Sequence, residues 1–149
     1  MINTSGFISI DHRASFERFF SQWTHDPNRI KKALTNIIES LQKNRDTILK
    51  FYTRPGISYS LRASVKAVAC QHRPYYAVID IVEEVDGDKW LSVCFYADTI
   101  TDPEQLGNLI PKGLLNEDGY CFDVDTYDEA LLSYVGGRIA EAYHAYISK

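Results

Sequence analysis

The hydrophobic pattern of the chain changes from helical to alternating between residues 30 and 66, and this change limits the fold more than any other feature. Six apolar residues first recur at helical spacing: Ile30, Ala33, Leu34, Ile37, Ile38 and Leu41. Such a stripe is typical of an amphipathic helix. From Ile57 to Lys66, apolar and polar residues alternate strictly, which is typical of a strand with one buried face. The two patterns together predict an α+β fold.

Other segments follow the same rules. We predict helices from Asp11 to Trp23, from Asp26 (the cap, with Pro27 at the first position) to about Asn44, and after a capping box of Thr126 and Glu129. We predict strands at 48–53, 57–66, 75–85, 90–96 and 120–124, with a glycine-rich connection over 107–119. The expected fold is a single α+β domain over residues 1–149. Its antiparallel sheet of about five strands carries two N-terminal helices and a C-terminal helix, packed mainly on one face.

The charge of the chain is unevenly distributed along the sequence. The formal net charge is −4, yet residues 1–75 carry 12 basic and 5 acidic side chains, whereas residues 76–149 carry 4 and 15. The first part therefore has a net charge of +7 and the second of −11. Complementary charges speed and orient association, so the split favours docking of the basic part onto the acidic surface of a protein partner or of a second copy.

The basic residues do not predict a nucleic-acid interface. They form no continuous block, and the isoelectric point near 5.5 argues against a strong phosphate footprint. No stretch of 18 apolar residues occurs either, so we expect no membrane-spanning helix. The N-terminal residues lack the pattern of a secretory signal, which favours a cytoplasmic location.

The most distinctive string runs from Arg54 to Arg62 and reads Arg-Pro-Gly-Ile-Ser-Tyr-Ser-Leu-Arg. We predict a turn at Arg54-Pro55-Gly56, followed by a strand whose polar positions share one face. That face would present four donors suited to a carboxylate or a phosphate, namely Arg54, Ser58, Ser60 and Arg62. An ordinary solvated sheet face is the alternative interpretation.

Acidic residues concentrate in two places, around the predicted hairpin and before the C-terminal helix. The first group is Glu83, Glu84, Asp86 and Asp88, and the second is Asp123, Asp125, Asp128 and Glu129. The second group does not follow the spacing of a calcium-binding EF-hand loop. Turn residues and helix N-terminal residues explain both groups, and weak cation binding remains an alternative. We assign no metal ligand.

The three cysteines, Cys70, Cys94 and Cys121, predict neither a disulfide framework nor a CxxC pair at their spacings of 24 and 27 residues. We therefore expect reduced thiols, with Cys94 and Cys121 as small core residues. Cys70 and His72 lie two residues apart, and such a pair could activate a thiolate. No third catalytic group accompanies them, so we assign no catalytic residue and no cofactor.

Several strings resemble those of an uncharacterised family of small bacterial proteins. They are 54–62, Trp90-Leu-Ser-Val-Cys-Phe-Tyr96, Thr101-Asp-Pro-Glu104 and Gly119-Tyr-Cys-Phe-Asp123. More remotely, the order of strand, Phe-Tyr, Asp-Pro-Glu, Lys112-Gly113, short strand and final helix is similar to YdhG-like proteins, some of which are proposed to be frataxin-like iron chaperones. That resemblance implies a helix-flanked antiparallel sheet and an acidic iron-binding surface. The region that is acidic in frataxin-like proteins is basic here, so no functional residue is carried over.

These observations favour a non-catalytic cytoplasmic interaction module, which binds a protein partner or forms a homo-oligomer. A small-anion or metal-binding protein, iron-chaperone-like in the second case, is the first alternative. An enzyme that uses Cys70 and His72 is the other alternative.

Overall fold

The computed structural model describes residue 8 and residues 10–54, 58–66 and 73–148 of the chain. The helices are α1 (Ile10–Gln22), α2 (Ile30–Gln42) and α3 (Glu129–Ile147). The strands are β1 (Thr47–Arg54), β2 (Ser58–Val65), β3 (Ala77–Glu83), β4 (Lys89–Tyr96), β5 (Asn108–Leu114) and β6 (Glu117–Val124). A single turn of 3-10 helix, Ala97–Thr99, follows β4.

The six strands form one antiparallel sheet in the order β1-β2-β3-β4-β6-β5. The order follows the sequence except that β6 lies between β4 and β5. The α+β class and the antiparallel sheet predicted from the sequence are thus confirmed. The strand count is six among the described residues, one more than the sequence indicates.

The additional strand is β5, in the segment predicted as a glycine-rich connection. Six of its seven residues are exposed, so no alternation of burial marks it in the sequence. The turn into β6 has positive φ at Leu115 (50°) and Asn116 (69°), the backbone of a tight hairpin turn. Leucine is rare in that conformation, so the usual Asn-Gly or Asp-Gly signal for a hairpin is missing here.

All three helices pack on one face of the sheet, where their apolar side chains join a single core. The six residues of the predicted stripe are the six buried residues of α2, as the spacing indicates. From the sheet, every second residue of β1, β2, β3, β4 and β6 reaches this core, for example Phe51, Leu61, Ile79, Val93 and Phe122, which form one row across these five strands. No helix among the described residues packs against the opposite face, called here the open face.

The helix starts differ from the predicted ones. Helix α2 begins at Ile30 rather than after Asp26, and Arg29 before it has a φ of 58°. The Asp26 carboxylate still serves the helix, because it accepts from the backbone N–H groups of Ile30 (2.8 Å) and Lys31 (3.0 Å). At α3 the cap is Asp128, whose carboxylate accepts from Leu131 N at 3.2 Å, and not Thr126. The predicted capping box of Thr126 and Glu129 is therefore wrong, because α3 begins at Glu129 and is capped by Asp128. Asp26 does bind the first N–H groups of α2, but from four residues before the helix begins.

Cys94 and Cys121 form a disulfide, so the prediction of reduced thiols is wrong for this pair. The two residues lie directly opposite each other on β4 and β6, with Cα atoms 4.1 Å apart. Both are buried, on the open face next to Val78 of β3. Sequence spacing could not reveal the bond, because it depends on the strand register that brings the two positions together.

The two edges of the sheet are protected in different ways. At the β1 edge, Ile8 forms a parallel bridge with Leu49, and the N–H of Phe51 donates to Nδ1 of His12 at 3.0 Å. At the β5 edge, a bulge interrupts the pairing between Ile110 and Leu114, and Pro111 lies within it. Both devices reduce the number of backbone groups that a further strand could pair with.

The loop between β4 and β5 is organised by the carboxylate of Asp102. This group accepts hydrogen bonds from Tyr134 Oη (2.5 Å), Tyr120 Oη (2.7 Å), Gly107 N (2.9 Å) and Leu106 N (3.1 Å). Burial by itself raises the pKa of Asp102, but the four donors outweigh it and lower the pKa to about 2. Asp102 thus joins the loop to both α3 and β6.

We expect Asp102→Asn to lower the free energy of unfolding by about 1–3 kcal/mol near pH 6, because the amide NH2 then faces the backbone N–H of Leu106 or Gly107, which can only donate and loses its acceptor. The pKa of Asp102 is lowered in the folded state, so its contribution is complete above the ordinary value of 3.8 and is lost as the pH falls towards 2. Urea unfolding of wild type and variant, near pH 6 and again near pH 2, measures this difference in the free energy of unfolding. The difference between wild type and Asp102→Asn should be smaller at the lower pH. The control Asp125→Asn, at an exposed position, should change the free energy of unfolding little at either pH.

Candidate anion-binding site

The open face has a recess between β1 and β2, with a volume of about 360 Å³. Its lining residues are Tyr52, Thr53, Arg54, Ser58, Ser60 and Arg62. The four ligand-binding residues predicted from the sequence are all among them. The structure therefore brings these four together, which does not in itself show that they bind a ligand.

Strand register explains why these side chains meet. Arg54 pairs with Ser58, and Tyr52 pairs with Ser60, across the antiparallel β1–β2 ladder. Directly paired residues point to the same face of a sheet, and residues two apart on one strand share that face. The alternate residues of β2, such as Leu61, point into the helix-covered core. The turn residues 55–57 lie outside the described part of the chain.

Each arginine is tied to one serine. Arg54 Nη2 donates to Ser58 Oγ at 3.1 Å, and Arg62 Nε donates to Ser60 Oγ at 3.1 Å. The two serines are only 8% and 6% exposed, respectively, so this part of the face is less solvated than an ordinary polar strand. Each guanidinium keeps further N–H groups, and each hydroxyl keeps its own proton to donate.

Two tyrosines hold Arg62 in place. Its guanidinium carbon lies 4.8 Å from the ring centre of Tyr52 and 5.7 Å from that of Tyr75. The two phenol oxygens are 3.1 Å apart and share a hydrogen bond. That hydrogen bond raises the pKa of Tyr52, and burial and the proximity of Tyr75 add to it, while Arg62 acts in the opposite direction. Tyr52 is therefore neutral at physiological pH and stacks on the cation without neutralising it.

Neither arginine of the recess forms an ion pair with an acidic side chain of the described residues. Within the described residues, neither Arg54 nor Arg62 has a carboxylate oxygen within 4.0 Å. The acidic residue paired with Ser60 on the next strand is Asp80, which is not one of the lining residues. Two cations that share a recess without a counter-ion create a positive potential there, which attracts anions.

Arg73 provides the contrast, because sequence alone cannot distinguish it from Arg54. It pairs with Asp98 at 2.9 Å and with Glu117 at 2.7 Å, and it lies 4.3 Å over the Tyr96 ring. The hydrogen bonds to Glu117 and Asp98 raise its pKa further above the usual range. A cavity of about 460 Å³ borders this cluster, but its buried cation already has two anionic partners. We interpret Arg73 as structural.

A third cavity, of about 360 Å³, lies between α2 and α3. Small and polar residues line most of it, including Ser40, Ser133, Gly136 and Ala140. A Cβ atom added at Gly136 would lie 3.3 Å from Ser40 Oγ, whereas at Gly137 it would meet nothing within 4 Å. Gly136 therefore lies where α3 closely approaches α2, and Gly137 does not. The lining of this groove contains one basic and one acidic residue, Lys43 and Glu129, whereas the β1–β2 recess contains two arginines and no acidic residue.

The other residues singled out from the sequence have separate outcomes. Cys70 and His72 lie outside the described residues, so the enzyme hypothesis stays a prediction. In the β3–β4 hairpin, Glu84 accepts from Trp90 Nε1 at 2.8 Å, and Asp88 contacts His25 Nε2 at 2.6 Å. These acids therefore take part in local structure. In residues 10–54, 58–66 and 73–148 no group of three His, Cys, Asp or Glu side chains is placed to hold a metal ion.

Tyr52, Thr53 and Tyr75 are not among the residues predicted from the sequence. Tyr52 could have been found, because it lies two residues before Arg54 and therefore on the same face of a strand. Tyr75 precedes β3 and reaches the recess only through the fold, so no local pattern marks it. Among the described helices, none combines the length and the hydropathy needed to cross a membrane.

Comparison of the chain with protein-family models, with curated proteins and with solved structures gave no match. The resemblance to YdhG-like proteins is therefore neither supported nor refuted and stays a prediction.

The contrast between the arginines is testable through stability. We expect Arg73→Ala to lower the free energy of unfolding by about 1–2 kcal/mol, because it leaves Asp98 and Glu117 near each other without their shared cation. Arg54→Ala should change it by less than about 0.5 kcal/mol, since Arg54 is exposed and has no carboxylate partner among the described residues. Urea unfolding followed by circular dichroism measures both. Equal losses in the two variants would contradict the separation into structural and ligand-binding arginines.

Proposed function

We propose that this protein is a non-catalytic binding module that binds a carboxylate or phosphate group in the β1–β2 recess. One observation carries the proposal: Arg54 and Arg62 share a recess with two hydroxyls, and neither has a carboxylate partner among the described residues. Structural arginines are normally paired when they are partly buried, as Arg73 is. Arg54 and Arg62 therefore carry charge that the described fold does not use.

The spacing of the anchoring residues suits a single small anion. Ser58 and Ser60 are two residues apart on a strand, so their side chains stand about 7 Å apart. Each guanidinium is held on one of these hydroxyls, and a charge-assisted N–H···O contact spans about 2.8 Å. One carboxylate or phosphate between the two arginines can then accept from both. The two hydroxyl groups can donate to the same oxygens.

The proposal combines two hypotheses from the sequence, the interaction module and the small-anion site. The anion can be free or carried by a protein partner, and in either case Arg54 and Arg62 recognise the same chemistry. Iron binding at an acidic surface and catalysis by Cys70 and His72 draw no support from the described residues. A cytoplasmic location stays a prediction, and the Cys94–Cys121 disulfide weighs against it, because such bonds are rare in reducing compartments.

Isothermal titration with inorganic phosphate, citrate and acetate tests the proposal. Wild-type protein should bind at least one of these anions, more weakly as salt rises, because screening reduces the attraction. Arg54→Ala and Arg62→Ala should each weaken binding by about tenfold or more, the effect of losing one charge-assisted contact. Arg62→Lys should also weaken it, because an ammonium cannot form the same planar fork.

Arg45→Ala is the matched control, because Arg45 is an arginine 91% exposed and outside the recess. Its removal should leave the affinity within about twofold of wild type. Absence of binding for all three anions, or equal affinity in the Arg54→Ala, Arg62→Ala and wild-type proteins, would overturn the proposal. Amide chemical-shift changes confined to β1 and β2 would locate the bound anion independently.

A further inference from the structure

A row of polar side chains crosses the open face from the recess to the far side of the sheet. Successive pairs in the ladders connect Tyr52 to Ser60, Ser60 to Asp80, Asp80 to Ser92, and Ser92 to Asp123. Directly paired residues share a face, so all five belong to the open face at the same height along the strands. The row begins beside the two arginines and ends at an exposed carboxylate on β6.

The open face changes sign along this row. Its β1–β2 side carries the basic residues Lys50, Arg54 and Arg62, whereas its acidic residues are Asp80 on β3 and Glu117 and Asp123 on β6, of which Glu117 is paired with Arg73. The cause lies in the topology, because the strand order follows the sequence as far as β4. The +7/−11 split along the chain therefore becomes a split in space on this face. Between the two charged sides lie Val78 and the Cys94–Cys121 disulfide, all buried.

Symmetry makes this arrangement self-complementary. Strand β2 holds the second and β6 the fifth of the six places in the sheet. Two copies can stack face to face about a two-fold axis that runs parallel to the strands, in the gap between the two sheets and midway between β3 and β4. This axis places β2 of each copy opposite β6 of the other. Rotation about such an axis keeps each residue at its height along the strands. Ser60 of one copy then faces Asp123 of the other, and the same contact occurs twice.

We propose that the open face binds the open face of a second copy of this chain, with the Asp123 carboxylate of each copy seated between Arg54 and Arg62 of the other. The inference rests on the proposed function, because it names the source of the anion that the recess binds. Asp123 is exposed and forms no ion pair within the described residues. Its carboxylate is therefore available to accept from the arginines.

The area of the face suits a weak symmetric dimer. Six strands spaced about 4.8 Å apart, each seven or eight residues long at about 3.4 Å per residue, present roughly 600 Å². Because the side chains of Arg73 and Tyr75 already cover the part of this face around Tyr96 and Val78, two copies bury less than about 1,200 Å² in total, in the range of weak, transient interfaces. Aligned packing of two sheets places them about 10 Å apart, a gap that an arginine and an aspartate span together.

Sedimentation velocity over a range of protein concentrations, at about 0.05 M and 0.5 M salt, tests the inference. Wild-type protein should dimerise at low salt and dissociate at high salt. Asp123→Arg should be a monomer, and so should the double variant Arg54→Glu/Arg62→Glu, because each places like charges in contact in its own homodimer. Glu39→Arg, the same charge change on an exposed position of α2, should dimerise like wild type.

Mixing the two monomeric variants supplies the decisive measurement. In the mixed dimer, the arginine introduced at position 123 of one chain faces the two glutamates introduced at positions 54 and 62 of the other. The second contact keeps its native charges. An equimolar mixture should therefore form a heterodimer with an affinity at least about tenfold above that of either variant alone. Recovery of the dimer only in the mixture supports this pairing, and a mixture that stays monomeric overturns it.

The two proposals fail in different ways. A wild-type monomer at every concentration and salt that still binds phosphate through Arg54 and Arg62 would overturn the dimer and leave the anion site intact. A dimer that Asp123→Arg does not weaken would likewise overturn the arrangement. If dimers form as expected, inorganic phosphate should dissociate them, because it competes with Asp123 for the same arginines. Dimers insensitive to phosphate would count against the shared site.

Discussion

The alternation of side chains across a six-stranded antiparallel sheet is the constraint on which the rest of this structure depends. Strands β1, β2, β3, β4 and β6 send every second residue to the helix-covered face, and the apolar stripe of α2 packs against those residues. Burial of a large aliphatic side chain stabilises a fold by about 1.5–3 kcal/mol, so a shift of register by one residue would be very costly. The alternate residues of these strands then lie on the open face, whether they are polar, charged or apolar. The recess and the row of polar and charged residues both result from this placement.

The fold was predictable wherever burial leaves a period in the sequence. The stripe of α2 and the alternation of β2 predicted an α+β fold with an antiparallel sheet, because both elements have one apolar side. Strand β5 has no such side, and its turn uses Leu115 and Asn116 rather than a glycine pair. The Cys94–Cys121 bond depends on the register of two strands separated by a long connection. Neither property is encoded locally.

The candidate site was predictable in its members but not in its electrostatics. Polar residues two apart on β2 had to share a face, whereas Arg54, predicted in the turn, is the last residue of β1. What the sequence could not show is which arginines would be neutralised. Arg73 lies in the same basic region, yet the fold places it between Asp98 and Glu117, while Arg54 and Arg62 have tyrosine and serine neighbours instead. Ion pairing is a property of tertiary structure, and it decides which cations remain available.

The disulfide between β4 and β6 has a consequence for the covalent topology of the chain. It closes a ring that contains the 3-10 turn, the Asp102 loop and the whole of β5. A ring of this length stabilises a folded protein by about 3.5 kcal/mol when the loss of loop entropy is assigned to the unfolded chain. It also means that a protease cutting the exposed loop before β5 produces a nicked molecule, not two fragments. The two pieces would separate only after a reductant opens the bond, so a cut in this loop would leave the size of the molecule unchanged under oxidising conditions.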